Sequence, residues 1–360
     1  MIDPIKILKR SWHILWNYRT LWLFGLILAL TASGGGGAGG NLDNLFSYRT
    51  GGNGGPPSGT FERWLEEFFR PLAQMPESQL LPTLIALVIT LICIFGVVGI
   101  ALAVARYVSQ VALIRLVEDY EVQGSQVSFR QGWRLGWSRK AWQVFLIDLL
   151  LGLPIFVLVL LILPIIGLLI AGASAQTPAI TVPAVIIGIG LLLLWILVLI
   201  ILGVVIGVLG EIARRACVLQ DMGVIDALRH TVGLLRHQWK NVGLMWLVML
   251  GLGIGWGIAT LILFVLLIPL YLLLAFPALV AAGLPGLLIY GLASLFLAQP
   301  LAVLTALILV LPLFFLIVFS PLMLLGAWEQ VFLSSLWTLT YREIMALESA
   351  NSVNTSAQVG

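Results

Sequence analysis

The sequence predicts an all-α integral membrane protein of six transmembrane helices, organised as three pseudo-repeated hairpins, each preceded by an amphipathic helix on the cytoplasmic face. Three observations predict it. Of 360 residues, 61% are hydrophobic and 10% charged, with a mean hydropathy of +1.09, whereas a soluble domain carries roughly 25% charged residues. A soluble fold is thereby excluded, and so is a disordered chain, which needs low hydrophobicity and high charge. The apolar residues also gather into six long runs, and a basic, Trp-bearing stretch recurs before the first, third and fifth of them.

A spanning helix needs about 20 mostly apolar residues. The runs that qualify are Thr20–Gly37, Leu81–Ala105, Trp142–Ala171, Val182–Gly210, Val242–Ala275 and Gln299–Trp328. The first, led by Lys9 and Arg10, has the layout of a signal peptide, but its long patterned lead predicts a retained span. Residues 34–59 are glycine-rich and predict a flexible outer loop. That tract lacks the Lys of a phosphate-binding loop. Residues 60–75 place Phe61, Trp64, Leu65, Phe68 and Leu72 opposite Glu62, Arg63, Glu66 and Glu67, the pattern of an outer amphipathic helix. Residues 284–298 are apolar but short and hold Pro285, Gly286 and Gly291, which predicts a short interfacial or re-entrant helix. Residues 349–360 are expected to be a flexible tail.

An excess of Lys and Arg near span ends marks the cytoplasmic side. With the N-terminus inside, every Lys and Arg except Arg49, Arg63 and Arg70 falls inside. Both termini are therefore expected in the cytoplasm, and the charge pattern fits a bacterial inner membrane. The net charge of +3 sits at the ends of apolar segments. Anionic lipid headgroups are thus the expected counter-surface, and nucleic acid is not.

The recurring stretches are IKILKRSWHILWNYRTLWLFG, VSFRQGWRLGWSRKAWQVFLI and VIDALRHTVGLLRHQWKNVGLM. Aligned, Lys9, Arg130 and Arg229 coincide, as do Trp12, Trp133 and Val232, then Ile14, Leu135 and Leu234, then Arg19, Lys140 and Trp239. Trp prefers the headgroup level and Lys or Arg attracts anionic lipid. Lys9, Arg10, Trp12, Arg130, Trp133, Arg134, Arg229, Arg236 and Trp239 are the expected lipid-interface residues. Spans two, four and six end alike, in ARYVSQVALIRL, GEIARRACVLQD and WEQVFLSSLWTL. One transmembrane domain over residues 1–348 follows, with repeats over 1–122, 123–221 and 222–348.

This threefold pattern, with GWRLGW, VIDALRHTVGLL and the closing SSLWTLTYREI, resembles the membrane domain fused to some bacterial glycerophosphoryl diester phosphodiesterases and its stand-alone relatives. The resemblance implies a six-helix bacterial membrane protein. It does not imply hydrolysis, which in the fused proteins belongs to a separate soluble barrel that no stretch here could form.

Ionisable residues inside spans are costly and point to function. Asp148, six residues beyond Trp142, is the one clear case; it is either a carboxylate capped by an Arg near the inner interface or a proton or cation site. Its repeat equivalents are Ile27 and Leu247. Aligning the ends of the even spans makes Arg106, Glu211 and Glu329 equivalent, which predicts a cluster in which Arg106 bridges the two glutamates. His13, His230 and His237 fall in the surface helices and read as interface residues. Cys93 and Cys217 read as packing residues, since their number and separation suit neither a disulfide framework nor a zinc site. Pro154, Pro164, Pro269, Pro277, Pro312 and Pro321 predict kinks. No catalytic constellation, metal-ligand spacing or cofactor motif is present in the sequence. The expected function is that of a non-enzymatic scaffold or partner of other membrane proteins in the envelope, in contact with anionic lipid. The rival is a transporter or lipid-handling channel that uses the bundle interior near Asp148, Arg106, Glu211 and Glu329.

Overall fold

The computed structural model describes residues 3–31, 77–174, 178–295, 297 and 299–359, and side chains are described up to residue 350. The outer loop and outer amphipathic helix expected over 34–75 lie outside the described residues. Within them the elements are α1 (Pro4–Asn17), α2 (Thr20–Thr31), α3 (Glu77–Gln123), α4 (Phe129–Gly136), α5 (Arg139–Leu160), α6 (Ile162–Ser174), α7 (Pro178–Leu219), α8 (Val224–Leu266), α9 (Ile268–Ala293), α10 (Gln299–Val318) and α11 (Ser320–Val359). The described residues form no strand. By length and composition, seven helices among the described residues could cross a membrane, and the bent pair α1 and α2 would make an eighth. The chain is accordingly a multi-pass helical membrane protein.

Each basic stretch separates from its span at nearly the same aligned position. Helix α1 is capped by Asp3, whose Oδ1 accepts the Ile5 and Lys6 amides at 3.1 and 3.3 Å. It closes at Tyr18 and turns through 100° into α2. Helix α4 stops at Trp137 and α5 starts after Ser138. Helix α8 has no gap, but Gln238 leaves helical geometry at φ −114°, ψ 24°.

Two compact units are present. The first comprises Met1–Leu28, Tyr107–Leu252 and Glu329–Gly360. Its core takes Ile14, Leu15, Leu21 and Phe24 from the first stretch, Val111, Leu113 and Leu116 from α3, Ile212 and Ala216 from α7, and Leu336 from α11. Helix α4 lies close against α3 because it offers glycine at two positions one turn apart. A Cβ at Gly132 would meet Leu116 and Phe24 at 2.9 Å, and one at Gly136 would collide with the Val108 carbonyl. Tyr18 is fully buried; its hydroxyl accepts the Val127 amide at 2.8 Å and donates to the Val127 carbonyl at 3.3 Å. That clamp fixes the end of α1 against the segment linking α3 to α4. Gly124 makes this linker possible by taking φ +65° just past α3, where its amide closes onto Tyr120 O at 2.9 Å.

The second unit comprises Ala29–Arg106 and Gly253–Trp328. Here α9 and α10 pack as a hairpin, with Gly286 admitting Val310 so closely that a Cβ would meet it at 2.9 Å. Tyr271, Ala278 and Val318 form its core with Phe264 and Phe319 around them. The apolar run expected as one span over 242–275 breaks at Leu267, and the run over 299–328 breaks at Phe319. Each break stands two residues ahead of a proline, Pro269 or Pro321, whose missing amide costs nothing in the first turn of a new helix.

Two further expectations change. Residues 284–293 are not a separate short helix; they complete α9, which carries Pro277 and Pro285 inside it. The segment from 349, expected as a flexible tail, continues α11 as helix to Val359. It holds no Gly or Pro before residue 360, so the helix already nucleated upstream propagates at little cost.

Outside the cores, Ile92, Val97 and Ile100 of α3 are 65%, 70% and 69% exposed, and Leu272 and Leu273 of α9 are each 72% exposed. Continuous exposed apolar surface of this extent fits contact with lipid.

Candidate functional site

The densest set of ionisable groups in the first unit is built on α7. Within GEIARR, Glu211 precedes Arg214 and Arg215 by three and four residues, which places all three side chains on one helix face. Arg214 donates to Glu211 Oε1 at 2.6 Å and also reaches Asp148 Oδ1 of α5 at 3.3 Å. Arg215, 2% exposed, bonds Glu211 Oε2 at 2.5 Å and donates to the Ser334 carbonyl of α11 at 3.2 Å. Two carboxylates are thus neutralised by two guanidiniums, and the set joins α5, α7 and α11. Nearby, Lys140 pairs with Asp221 at 3.2 Å; Asp221 adopts φ 55° just past α7.

Asp148 therefore occupies the first of its two expected settings, a carboxylate capped by an arginine. The expected bridge through Arg106 is not what holds Glu211. Arg106 donates to the Thr31 carbonyl at 3.2 Å, within the second unit. Glu211 takes its cations from its own helix, because partners three and four residues away need no long-range convergence. Glu329 of α11 is 9% exposed, and among the described residues no ion pair or hydrogen bond reaches its carboxylate. Arg214 and Arg215 are the site residues that sequence reasoning missed. Their spacing from Glu211 was the available signal.

The basic stretches form a second set. Lys9, Arg10 and Trp12 of α1, Arg130 and Arg134 of α4, and Arg229, Arg236 and Trp239 of α8 are all exposed, and Trp133 is half-buried. The opposite faces are buried. Under the alignment that matches Lys9 with Arg130 and Arg229, the buried Ser11, Gly132 and Thr231 also coincide. So do Leu15 and Gly136, both buried, with the half-buried Leu235. Trp12 meets Phe332 of α11 edge-on at 6.0 Å, and Trp22 Nε1 donates to the Leu15 carbonyl at 2.8 Å. The rings thus tie the first stretch to its neighbours without using up its outer face.

No curated protein and no solved structure matches the chain. A family profile does match, over residues 9–334, a range that takes in Lys9, Arg130 and Arg229 of the basic stretches and the α7 cluster. The chain belongs to that family, DUF7544, a family of unknown function.

Proposed function

We propose that the protein is a non-enzymatic component of a bacterial inner membrane, a scaffold or partner of other envelope proteins, with three basic amphipathic helices gripping anionic headgroups on the cytoplasmic side. One observation carries the reading. In all three stretches the same aligned position is an exposed cation, Lys9, Arg130 or Arg229, and the position two residues on is a buried small residue. Each helix thus turns its packing face inward and its cationic face out, and each cation near an anionic leaflet is worth about 1 kcal/mol. The three nearly coincident helix breaks support the three-hairpin repeat, and with it the kinship to membrane domains of the glycerophosphoryl diester phosphodiesterase type. The paired state of Asp148 and Glu211 supports a structural role for these carboxylates over a catalytic one.

The test is lipid retention through purification, read by native mass spectrometry. Wild-type protein is expected to keep phosphatidylglycerol over phosphatidylcholine, and K9S/R130S/R229S to lose several-fold of that excess while melting unchanged. Equal retention by both proteins would overturn the reading. A second reading, a transporter or lipid-handling channel, draws on Glu329, whose buried carboxylate has no partner among the described residues. It requires Glu329→Gln to abolish a measurable flux in proteoliposomes.

A further inference from the structure

A groove opens in the first unit between α1 and α11. The cap of α1 contributes Asp3 and the helix itself Lys6 and Arg10, α3 contributes Glu121, and α11 contributes Arg342 and Glu343. The two walls present matching helical faces, positions 3, 6, 7 and 10 against positions 339, 342, 343 and 346. Ile7 and Leu339 give it an apolar lining, and its cavity volume is about 160 Å³.

The charges of the groove are not equivalent. Arg10 is taken by Glu121, with Nε to Oε1 at 2.9 Å and a second contact at 2.5 Å, and the Glu121 side chain is 5% exposed. Arg342 faces Glu118 at 3.5 Å. Asp3 spends its Oδ1 on the Ile5 and Lys6 amides as the cap of α1; the charges left free of both ion pairs and caps are Lys6 on one wall and Glu343 on the other. Both are exposed, they do not pair with each other, and among the described residues no ion pair reaches either. The lining as a whole balances three cations against three carboxylates, so neither a polyanion nor a bare cation gains from entering. A molecule carrying both charges gains at both walls. The exposed Trp12 and Trp16 put α1 at the level of lipid headgroups.

We propose that this groove binds a phosphate–ammonium zwitterion, the chemistry of a phosphoethanolamine headgroup, with the phosphate on Lys6 and the ammonium on Glu343. A primary ammonium has three N–H donors for the carboxylate, whereas a trimethylated one has none. The site therefore prefers phosphoethanolamine to phosphocholine. It uses neither Lys9, Arg130 nor Arg229, so it stands or falls separately from the anionic-lipid reading above.

The test is retention of matched-chain phosphatidylethanolamine, phosphatidylcholine and phosphatidylglycerol by the full chain, read by native mass spectrometry. Wild-type protein is expected to retain several-fold more phosphatidylethanolamine than phosphatidylcholine. Lys6→Gln or Glu343→Gln removes that preference, and the exchanged pair Lys6→Glu with Glu343→Lys restores it in reversed orientation. Both side chains are exposed, so each variant should melt with the wild type. Displacement by soluble phosphoethanolamine supports the proposal with a soluble phosphomonoester as the source; lipid retention without displacement supports it with the bilayer as the source. Equal retention of phosphatidylethanolamine and phosphatidylcholine by the wild type, or an unchanged preference in the single variants, overturns it. Retained phosphatidylethanolamine preference in K9S/R130S/R229S is expected even if the anionic-lipid reading fails.

Discussion

Arg214 and Asp148 lie 66 residues apart in sequence and 3.3 Å apart in space, and the same guanidinium holds Glu211 at 2.6 Å. Its side chain is 13% exposed, and the Asp148 side chain 22%. Removing this largely buried cation leaves Glu211 on Arg215 alone and takes the guanidinium contact from Asp148, whereas removing one of its two carboxylates leaves the cation still paired. Arg214→Gln should therefore cost on the order of 3 kcal/mol, and Asp148→Asn clearly less. Thermal unfolding in detergent reads both. The double variant should be milder than the sum of the singles, and strict additivity would show that the two groups do not interact.

Gly136 and Gly233 offer a paired test of helix packing. A methyl group at Gly136 runs into the Val108 carbonyl, while at Gly233 it meets nothing within 4 Å. Gly136→Ala should destabilise by about 1–3 kcal/mol, the usual cost of overpacking. Gly233→Ala should be neutral or gain up to roughly 1 kcal/mol from helix propensity. Equal melting temperatures for the two variants would mean that α4 does not sit against α3 as described.

Tyr18 provides a pH signature. Burial raises its phenol above the ordinary value of 10, outweighing the hydrogen bond with Val127, which acts the other way. The folded state thus favours the protonated ring. The stability this contributes is complete below pH 10 and is lost as pH rises through the folded value. Tyr18→Phe removes the acceptor of a Val127 amide and should cost about 1–3 kcal/mol. In alkaline titration followed by phenolate absorbance, the variant should lose one tyrosine that ionises above the ordinary value.

Topology can be tested by parity. Both termini share a side only if the number of crossings is even, and the seven long helices with the α1–α2 pair as one crossing give eight. Green fluorescent protein fused to the C-terminus should fluoresce, and alkaline phosphatase fused there should be inactive. The opposite result would mean that the bent pair does not cross.

The features legible in the sequence were those with a local physical cause. Composition fixes the helical membrane class, and the change from amphipathic to uniformly apolar patterning, read at Thr20, Trp142 and Val242, lies two to four residues beyond the breaks at Tyr18, Ser138 and Gln238. An arginine for Asp148 was also foreseeable, since a carboxylate near lipid needs one. The partners of Glu211 and Arg106 were not. Pseudo-equivalent positions suggested convergence, but a side chain takes the nearest sufficient partner, and Glu211 has two one turn away. The breaks at Leu267 and Phe319 were hidden for another reason. Pro269 and Pro321 read the same in sequence as Pro277 and Pro285, yet the latter pair sits inside α9 without ending it.

The 100° bend at Tyr18 bears on how the chain meets bilayers of different thickness. If α1 lies along the membrane surface as proposed, the span that follows it is pinned at its start and cannot slide along the membrane normal. Any mismatch between hydrophobic length and bilayer must then be absorbed at the far end, by tilt or by local deformation of the lipid, at fractions of a kcal/mol per Å. Thickening the bilayer should therefore perturb the ends of the spans away from α1, α4 and the first half of α8 and leave those three helices where they lie.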